Sequence, residues 1–426
     1  MRFPIERHQL DNGLRVVLAE DRSQPVVAVN LWYNVGSRNE RPGRTGFAHL
    51  FEHMMFQGSA NVPDTQHIAH VERVGGSVNG STWLDRTNYF EILPANRLEL
   101  ALWLESDRMG FLPPAMTQAK LDNQRDVVKN ERRWRVDNQP YGDWDERIQA
   151  MMYPPDHPYH HSVIGSMEDL DAATMDDILE FFRIYYAPNN AVLTICGDFD
   201  APAALALVER YFGGIPRGPE VPALPGRPEV PPRLGKEVRD QVVAEVALPR
   251  VYVAFRIPKY GDPDFYRGDV AAHVLASGKS SRLYRALVRE RRLAQGVVAF
   301  AFPVVTGAAV MVIWATAAAG VDATVLEEAL WEELDRLAQE CDRAEVERAV
   351  TGIESRQLMT LQKVGDRADQ LSMFTTLFDD PERIHTELDD YRAVTADQVA
   401  GFAAEYLRRP QSAVLTYLPR SPKGTS

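Results

Sequence analysis

The chain has 426 residues, 45% of them hydrophobic and 25% charged, and carries a net charge of −13 at pH 7. That length is too great for one typical domain, so two or three cores are expected, and the composition is ordinary for globular protein. The acidic balance argues against nucleic acid as the main partner, because phosphate binding needs a basic surface. No apolar run of about 18 residues exists, which excludes a membrane-spanning helix. Met1 to Arg7 contains no apolar signal core, so the cytoplasm is the expected location. Cys196 and Cys341 suggest no disulfide framework and fit a reducing compartment.

Residues 8–18 read as strand, turn, strand around Asp11-Asn12-Gly13, since Asn-Gly is a strong hairpin signal. Val26 to Tyr33, rich in β-branched and aromatic residues, is the next predicted strand. A polar loop, 36–46, leads to a predicted helix with Thr45 as its candidate N-cap. That helix contains His49-Leu50-Phe51-Glu52-His53, with no Pro or Gly between Ala48 and Phe56. Positions four apart share a helix face, so His49 and His53 would direct two imidazoles at one point. Two imidazoles suit zinc, and a carboxylate beside them, Glu52, can take a proton from water. The order is H-x-x-E-H, the reverse of the commoner H-E-x-x-H.

A helix is predicted over about 64–74, closed by Gly75-Gly76. Ser77 to Trp83 and Thr87 to Leu93 follow as paired strands. Asn79, Gly80, Ser81 and Thr82 make the first a weak core strand and a good edge for an extended peptide to join by main-chain hydrogen bonds. Helices are predicted over 96–110 and from about Thr117 to Val136. On the second, Glu131 shares a face with Gln124, Val127 and Val128 by spacing. A carboxylate beside core valines is either buried with a partner or working. Glu72, Glu91 and Glu105 remain alternative third metal ligands. The run His157-Pro158-Tyr159-His160-His161 reads as a loop with adventitious surface histidines. Thr174 to Asp177 is a capping signal for a helix to Tyr186, which turns at Pro188-Asn189-Asn190 into a strand at Ala191 to Cys196.

A Pro-rich linker, 216–237, divides the chain into 1–215 and 238–426. The second half repeats the plan of the first. Thr395-Ala396-Asp397-Gln398 opens a helix leading to Ala413-Val414-Leu415-Thr416, as Thr174-Met175-Asp176-Asp177 leads to Ala191-Val192-Leu193-Thr194. This points to a duplicated domain, with the metal motif in the first copy alone.

The chain resembles the pitrilysin/insulinase-like metallopeptidases, in particular the short type that includes mitochondrial processing peptidase subunits and bacterial relatives. The carriers are His49 to Phe56, the strand segment Gly75 to Phe90, the Glu131 helix, the run from Phe181 to Asp198, and Ser280-Ser281-Arg282-Leu283. The resemblance implies an α+β chain of two similar domains, each a mostly antiparallel sheet packed with helices, together half of a clamshell. It implies one Zn2+ per chain on His49, His53 and Glu131, Glu52 as general base, and the strand from Asn79 to Thr82 as the peptide-holding edge. It implies a zinc-dependent endopeptidase hydrolysing peptides or unfolded segments in an enclosed chamber formed by a dimer.

Two positions depart from the family pattern. A supporting Glu is usual seven residues before the metal Glu, where Gln124 stands. In the second half the substrate-binding Arg is matched by Arg289, but the expected Tyr is replaced by Gln295, with one residue missing before it. This raises a heterodimer, with an Arg/Tyr-bearing sister chain, beside the homodimer. A catalytic subunit active only with that sister, and a non-catalytic core subunit of the same fold, are the rival readings. The intact set of His49, Glu52, His53 and Glu131 argues against a scaffold. Glu52, not needed as a ligand, argues against a metal module without hydrolysis.

Overall fold

A computed structural model describes residues 2–420. The chain forms two compact units, each a mixed sheet packed with helices. The first unit comprises residues up to 132, 161–225 and 356–386, and the second comprises 133–160, 226–355 and the residues from 387 onward. Residues 133–160 thus group with the second sheet and 356–386 with the first, across the Pro-rich stretch at 216–237.

The first sheet is built from β1 (Glu6–Gln9), β2 (Arg15–Glu20), β3 (Val26–Tyr33), β4 (Ser77–Thr82), β5 (Thr87–Pro94) and β6 (Ala191–Gly197). Its order is β1-β2-β6-β3-β5-β4, antiparallel except for the β2–β6 pair. The Asn12-Gly13 hairpin forms as expected. Asn12 also donates from Nδ2 to the carbonyls of Phe212 and Ile215 at 2.8 and 2.9 Å, which ties the turn to the core.

Alternation along the strands makes two apolar faces. Val27, Val29, Leu31 and Tyr33 of β3 face a core shared with α1 (Phe47–Met54) and α3 (Leu98–Phe111), with α2 (Gln66–Arg73) and α4 (Gln118–Arg132) at its margin. Ala28, Asn30 and Trp32 face the other way, where the helix Val364–Phe378 packs on β3 and β6. Its Ala368, Leu371 and Phe374 are fully buried, and its Asp369 Oδ1 accepts from Trp32 Nε1 at 2.8 Å and Asn88 Nδ2 at 2.9 Å.

The second sheet contains β7 (Val238–Ala244), β8 (Arg250–Ile257), β9 (Ala294–Phe302), β10 (Ala309–Ala317) and β11 (Ser412–Pro419), in the order β7-β11-β8-β10-β9 with β7–β11 parallel. Replacing β2 through β6 by β7 through β11 converts the first order into the second. The duplication expected from the helix-turn-strand repeat is therefore present strand for strand. Both predicted capping boxes form, at Thr174 with Asp177 and at Thr395 with Gln398. The helix α5 (Trp144–Met152) packs on β8 and β11, with Trp144 stacked on Tyr252 at 5.3 Å. Each half of the sequence thus lends one helix to the other half's sheet.

Candidate active site

The eight residues of α1 divide cleanly between two environments. Leu50, Phe51 and Met54 are fully buried, and Phe51 packs on Tyr186 at 4.2 Å between ring centroids. His49, Glu52 and His53 lie on the opposite side. Their spacing brings the two imidazoles edge to face, 4.9 Å apart. Glu131, near the end of α4, closes the group: its Oε2 is 3.7 Å from His49 Nε2 and 3.4 Å from His53 Nε2. The three side chains are 12%, 23% and 17% exposed, so the point where they meet is open to solvent.

Glu52 stands beside this group and points toward β4. Thr82 Oγ1 donates to Glu52 Oε2 at 2.6 Å. Burial pushes the Glu52 carboxyl above its ordinary range, while Thr82, His53 and Arg86 pull it partly back. A raised carboxyl of this kind is suited to accept and return protons near neutrality.

β4 is the edge of its sheet and pairs with β5 alone. Gly80 faces α1, so close that a Cβ there would lie 3.3 Å from Glu52 Cγ. Asn79 is exposed, and its Oδ1 accepts the N–H of Gly80 at 2.9 Å. Ser81 faces the other way: its hydroxyl donates to Asn88 Oδ1 at 2.7 Å, and Arg86 Nη1 donates to the Ser81 carbonyl at 2.8 Å. Through Asn88 and Trp32 this row reaches Asp369.

Gln124 is buried on α4 with Leu121 and Val128, but Val127 is 41% exposed. The reading of Val127 as a core valine is therefore corrected: the buried face runs through 121, 124 and 128, and 127 lies outside it. Arg289 is exposed on the segment Tyr284–Glu290 of the second unit, and Gln295 is exposed on β9.

Of the alternative acids, Glu72 is exposed on α2. Glu91 and Glu105 belong to a second group with His67, fully enclosed. There Arg108 already supplies a cation. Its Nε donates to Glu105 Oε2 at 2.8 Å, its Nη2 pairs with Glu105 Oε1 and lies 3.8 Å from Glu91 Oε1, and its guanidinium covers the Tyr89 ring at 4.2 Å. Burial, with Arg108 nearby, pushes His67 down to about 3, and burial pushes Glu91 well up. Two imidazoles and a carboxylate at a solvent-open point fit zinc and leave a fourth position. A sealed group holding a guanidinium against both carboxylates does not. Among the described residues these are the two groups of three or more such side chains close enough to share an ion.

Of the histidines in the 157–161 run, His157 is buried and His160 and His161 are half-buried. His157 is 2% exposed, stacks on Tyr153 at 4.5 Å and lies 2.9 Å from the Pro228 carbonyl. His160 Nδ1 lies 2.7 Å from the Tyr153 carbonyl. Their polar atoms serve the backbone, which the Pro-rich sequence did not suggest. Thr45 is not the cap of α1 either. Its hydroxyl and N–H donate to Asp169 Oδ2 at 2.5 and 2.9 Å, and the residue before the helix is Gly46.

Residues 15–154 match the family described as Insulinase (Peptidase family M16), and residues 172–353 match the Peptidase M16 inactive domain. The chain is 32% identical over 343 residues to a protein of Helicobacter pylori named zinc protease PqqE, covering 80% of this chain and 75% of that one. A crystal structure of a protease from Helicobacter pylori superposes with a TM-score of 0.91 at 28% identity, covering 98% of this chain and all of that one. The periplasmic protease PqqL of Escherichia coli, at 18% identity and a TM-score of 0.76, shares the fold; 98% of this chain covers 48% of PqqL. Among the described residues no helix is long and apolar enough to cross a membrane.

Proposed function

The chain belongs to the insulinase family, peptidase family M16, and from that membership we propose that it is a zinc-dependent endopeptidase acting on peptides or unfolded segments in an enclosed chamber. The observation that carries this reading is the meeting of His49, His53 and Glu131, with ligand atoms all within 4.8 Å of one another, beside a Glu52 held by Thr82. One zinc ion on these three residues would polarise the scissile carbonyl and bring the pKa of a water toward about 7.

The chain's own groups do the rest. Glu52, with Oε2 held by Thr82, uses Oε1 to take a proton from the attacking water and returns it to the leaving amine. The open edge of β4, through the main chain of Asn79, Gly80 and Ser81, adds an extended peptide as a further strand. Gln124 supports α4 behind Glu131 without supplying charge. Arg289 contributes a cation for the substrate from the second half.

We read the working unit as a dimer. The support is the length relation to PqqL, whose chain is about twice what this chain spans. Gln295, standing where a Tyr is expected, favours a second form of this reading: a sister chain supplies an Arg/Tyr pair, and activity needs both subunits. A reducing, cytoplasmic setting fits the free thiols of Cys196 and Cys341.

The test is cleavage of quenched peptides by the purified, zinc-loaded chain beside three variants. Glu52→Gln is expected to keep zinc and lose turnover, and His49→Ala and Glu131→Ala to lose zinc. Undiminished cleavage by Glu52→Gln overturns the assignment. Cleavage that begins only on adding a sister subunit selects the heterodimer.

A further inference from the structure

The helix that carries both histidines starts without a cap of its own. Gly46 precedes it in the left-handed region, φ 84°, and offers no side chain. A helix of eight residues is too short to hold itself together, and its first N–H groups need outside partners. They find them six residues upstream. Glu40 Oε2 accepts the N–H of Gly46 at 2.9 Å, and Oε1 accepts that of Ala48, next to His49, at 2.7 Å. Glu40 is 4% exposed. Burial pushes the Glu40 carboxyl well above its ordinary range, and the N–H groups of Ala48 and Gly46 pull it partly back.

Glu40 is in turn fixed to the hairpin whose edge is β4. It ends the short turn Ser37–Asn39, which docks on the loop between β4 and β5. Ser37 N–H donates to the Trp83 carbonyl at 3.2 Å, and Arg38 N–H donates to that of Leu84 at 3.0 Å. Arg38 Nη1 donates to Asp85 Oδ1 at 2.9 Å and Nη2 to Asn34 Oδ1 at 2.7 Å. His161 Nδ1 is 3.4 Å from Glu40 Oε2 on the other side. One buried carboxylate therefore connects the first turn of α1 to the β4–β5 loop.

We propose that Glu40 is a positioning residue for the metal site, setting where α1 begins and so where His49 and His53 stand relative to Glu131 and β4. The inference rests on the metal-site reading of those three residues. Glu131 belongs to another helix, so its distances to the imidazoles depend on the placement of α1 as a body. Glu40 acts on that placement through the N–H groups of Gly46 and Ala48, not as one of the three ligands.

Glu40→Gln keeps the shape but exchanges one acceptor for an amide nitrogen. The full chain and the variants Glu40→Gln and Glu40→Ala are compared in three ways: zinc affinity by competition with a chromophoric chelator, the visible spectrum of the cobalt-substituted protein, and amide exchange in the metal-free protein. Zinc binding is expected to weaken about tenfold in Glu40→Gln, with shifted cobalt bands. Exchange should accelerate at Gly46 and Ala48 while the helix Met175–Tyr185 stays as protected as before. Unchanged zinc affinity and cobalt bands in Glu40→Gln, whatever its melting temperature, overturn the positioning role. If Glu40→Ala does not fold, Glu40→Gln alone decides. Should the unaltered chain take up no zinc, the proposed function falls, and amide exchange judges Glu40 separately: equal rates at Gly46 and Ala48 with and without the substitution overturn it.

Discussion

Thr82 Oγ1 donates to Glu52 Oε2 at 2.6 Å, joining the last residue of the edge strand β4 to α1. A hydrogen bond to an ionised carboxylate is worth about 1.5–3 kcal/mol, and this one also lowers the Glu52 pKa. Thr82→Val should reduce kcat by about tenfold or more, leave zinc content unchanged, and move the acid limb of the pH–rate profile upward. Thr82→Ser should recover most of the rate. An unchanged acid limb in Thr82→Val would remove Thr82 from the machinery.

Gly80 lies between Glu52 and the aromatic rings of Tyr89 and Phe56. A Cβ there would meet Tyr89 Cδ1 at 3.1 Å, Phe56 Cε2 at 3.2 Å and Glu52 Cγ at 3.3 Å. Gly80→Ala should cost about 1–3 kcal/mol of stability from overpacking and lower kcat by displacing Glu52. Kinetics and thermal melting equal to those of the unaltered chain would show that these rings yield freely.

Zinc should bind at one equivalent per chain. Metal analysis of His49→Ala should show the loss of that equivalent, whereas His67→Ala should retain it, because Arg108 occupies the charge balance of the second group. Arg108→Met should instead destabilise the fold by about 3–5 kcal/mol, since it leaves Glu105 buried and unpaired. A second equivalent of zinc, lost in His67→Ala, would contradict this division.

Acid should weaken the fold through His67. Its pKa is down to about 3 in the folded chain, against about 6.5 for an unperturbed imidazole. Between those values the unfolded chain binds the proton and the folded chain does not, so stability falls as pH drops from about 6.5 toward 3, by up to about 1.4 kcal/mol per pH unit. Denaturant unfolding of His67→Asn and the unaltered chain at pH 7 and pH 4.5 should show a smaller acid loss in the variant. Equal losses would mean that the His67 site admits the charged imidazole.

Much of the architecture was legible in the sequence because it rests on local periodicity. Val26–Tyr33 forms a strand with the predicted bounds, and the two capping signals open helices where expected. The pairing of His49 with His53 follows from helix pitch alone. What depended on distant partners was not legible. Thr45 looks like a cap, but Asp169 takes its hydroxyl, and the caps of α1 come from Glu40, inside a stretch that reads only as polar loop. Spacing alone does not separate Glu91 and Glu105 from Glu131; what sets them apart is Arg108, which lies against both. The exchange of 133–160 and 356–386 between the sheets has no local signature, because an amphipathic helix does not record which sheet it covers.

That exchange has a consequence for how the protein is made. A ribosome releases α1, α4 and the whole first sheet long before it reaches Val364–Phe378, the helix that covers the back of β3 and β6 and brings Asp369 to Trp32 and Asn88. Until then the sheet carrying β4 has an uncovered face, and the row behind Ser81 has no anchor. The order of synthesis leaves the back of the first sheet, and the anchor behind Ser81, to be completed by a helix made only after β10 of the second sheet.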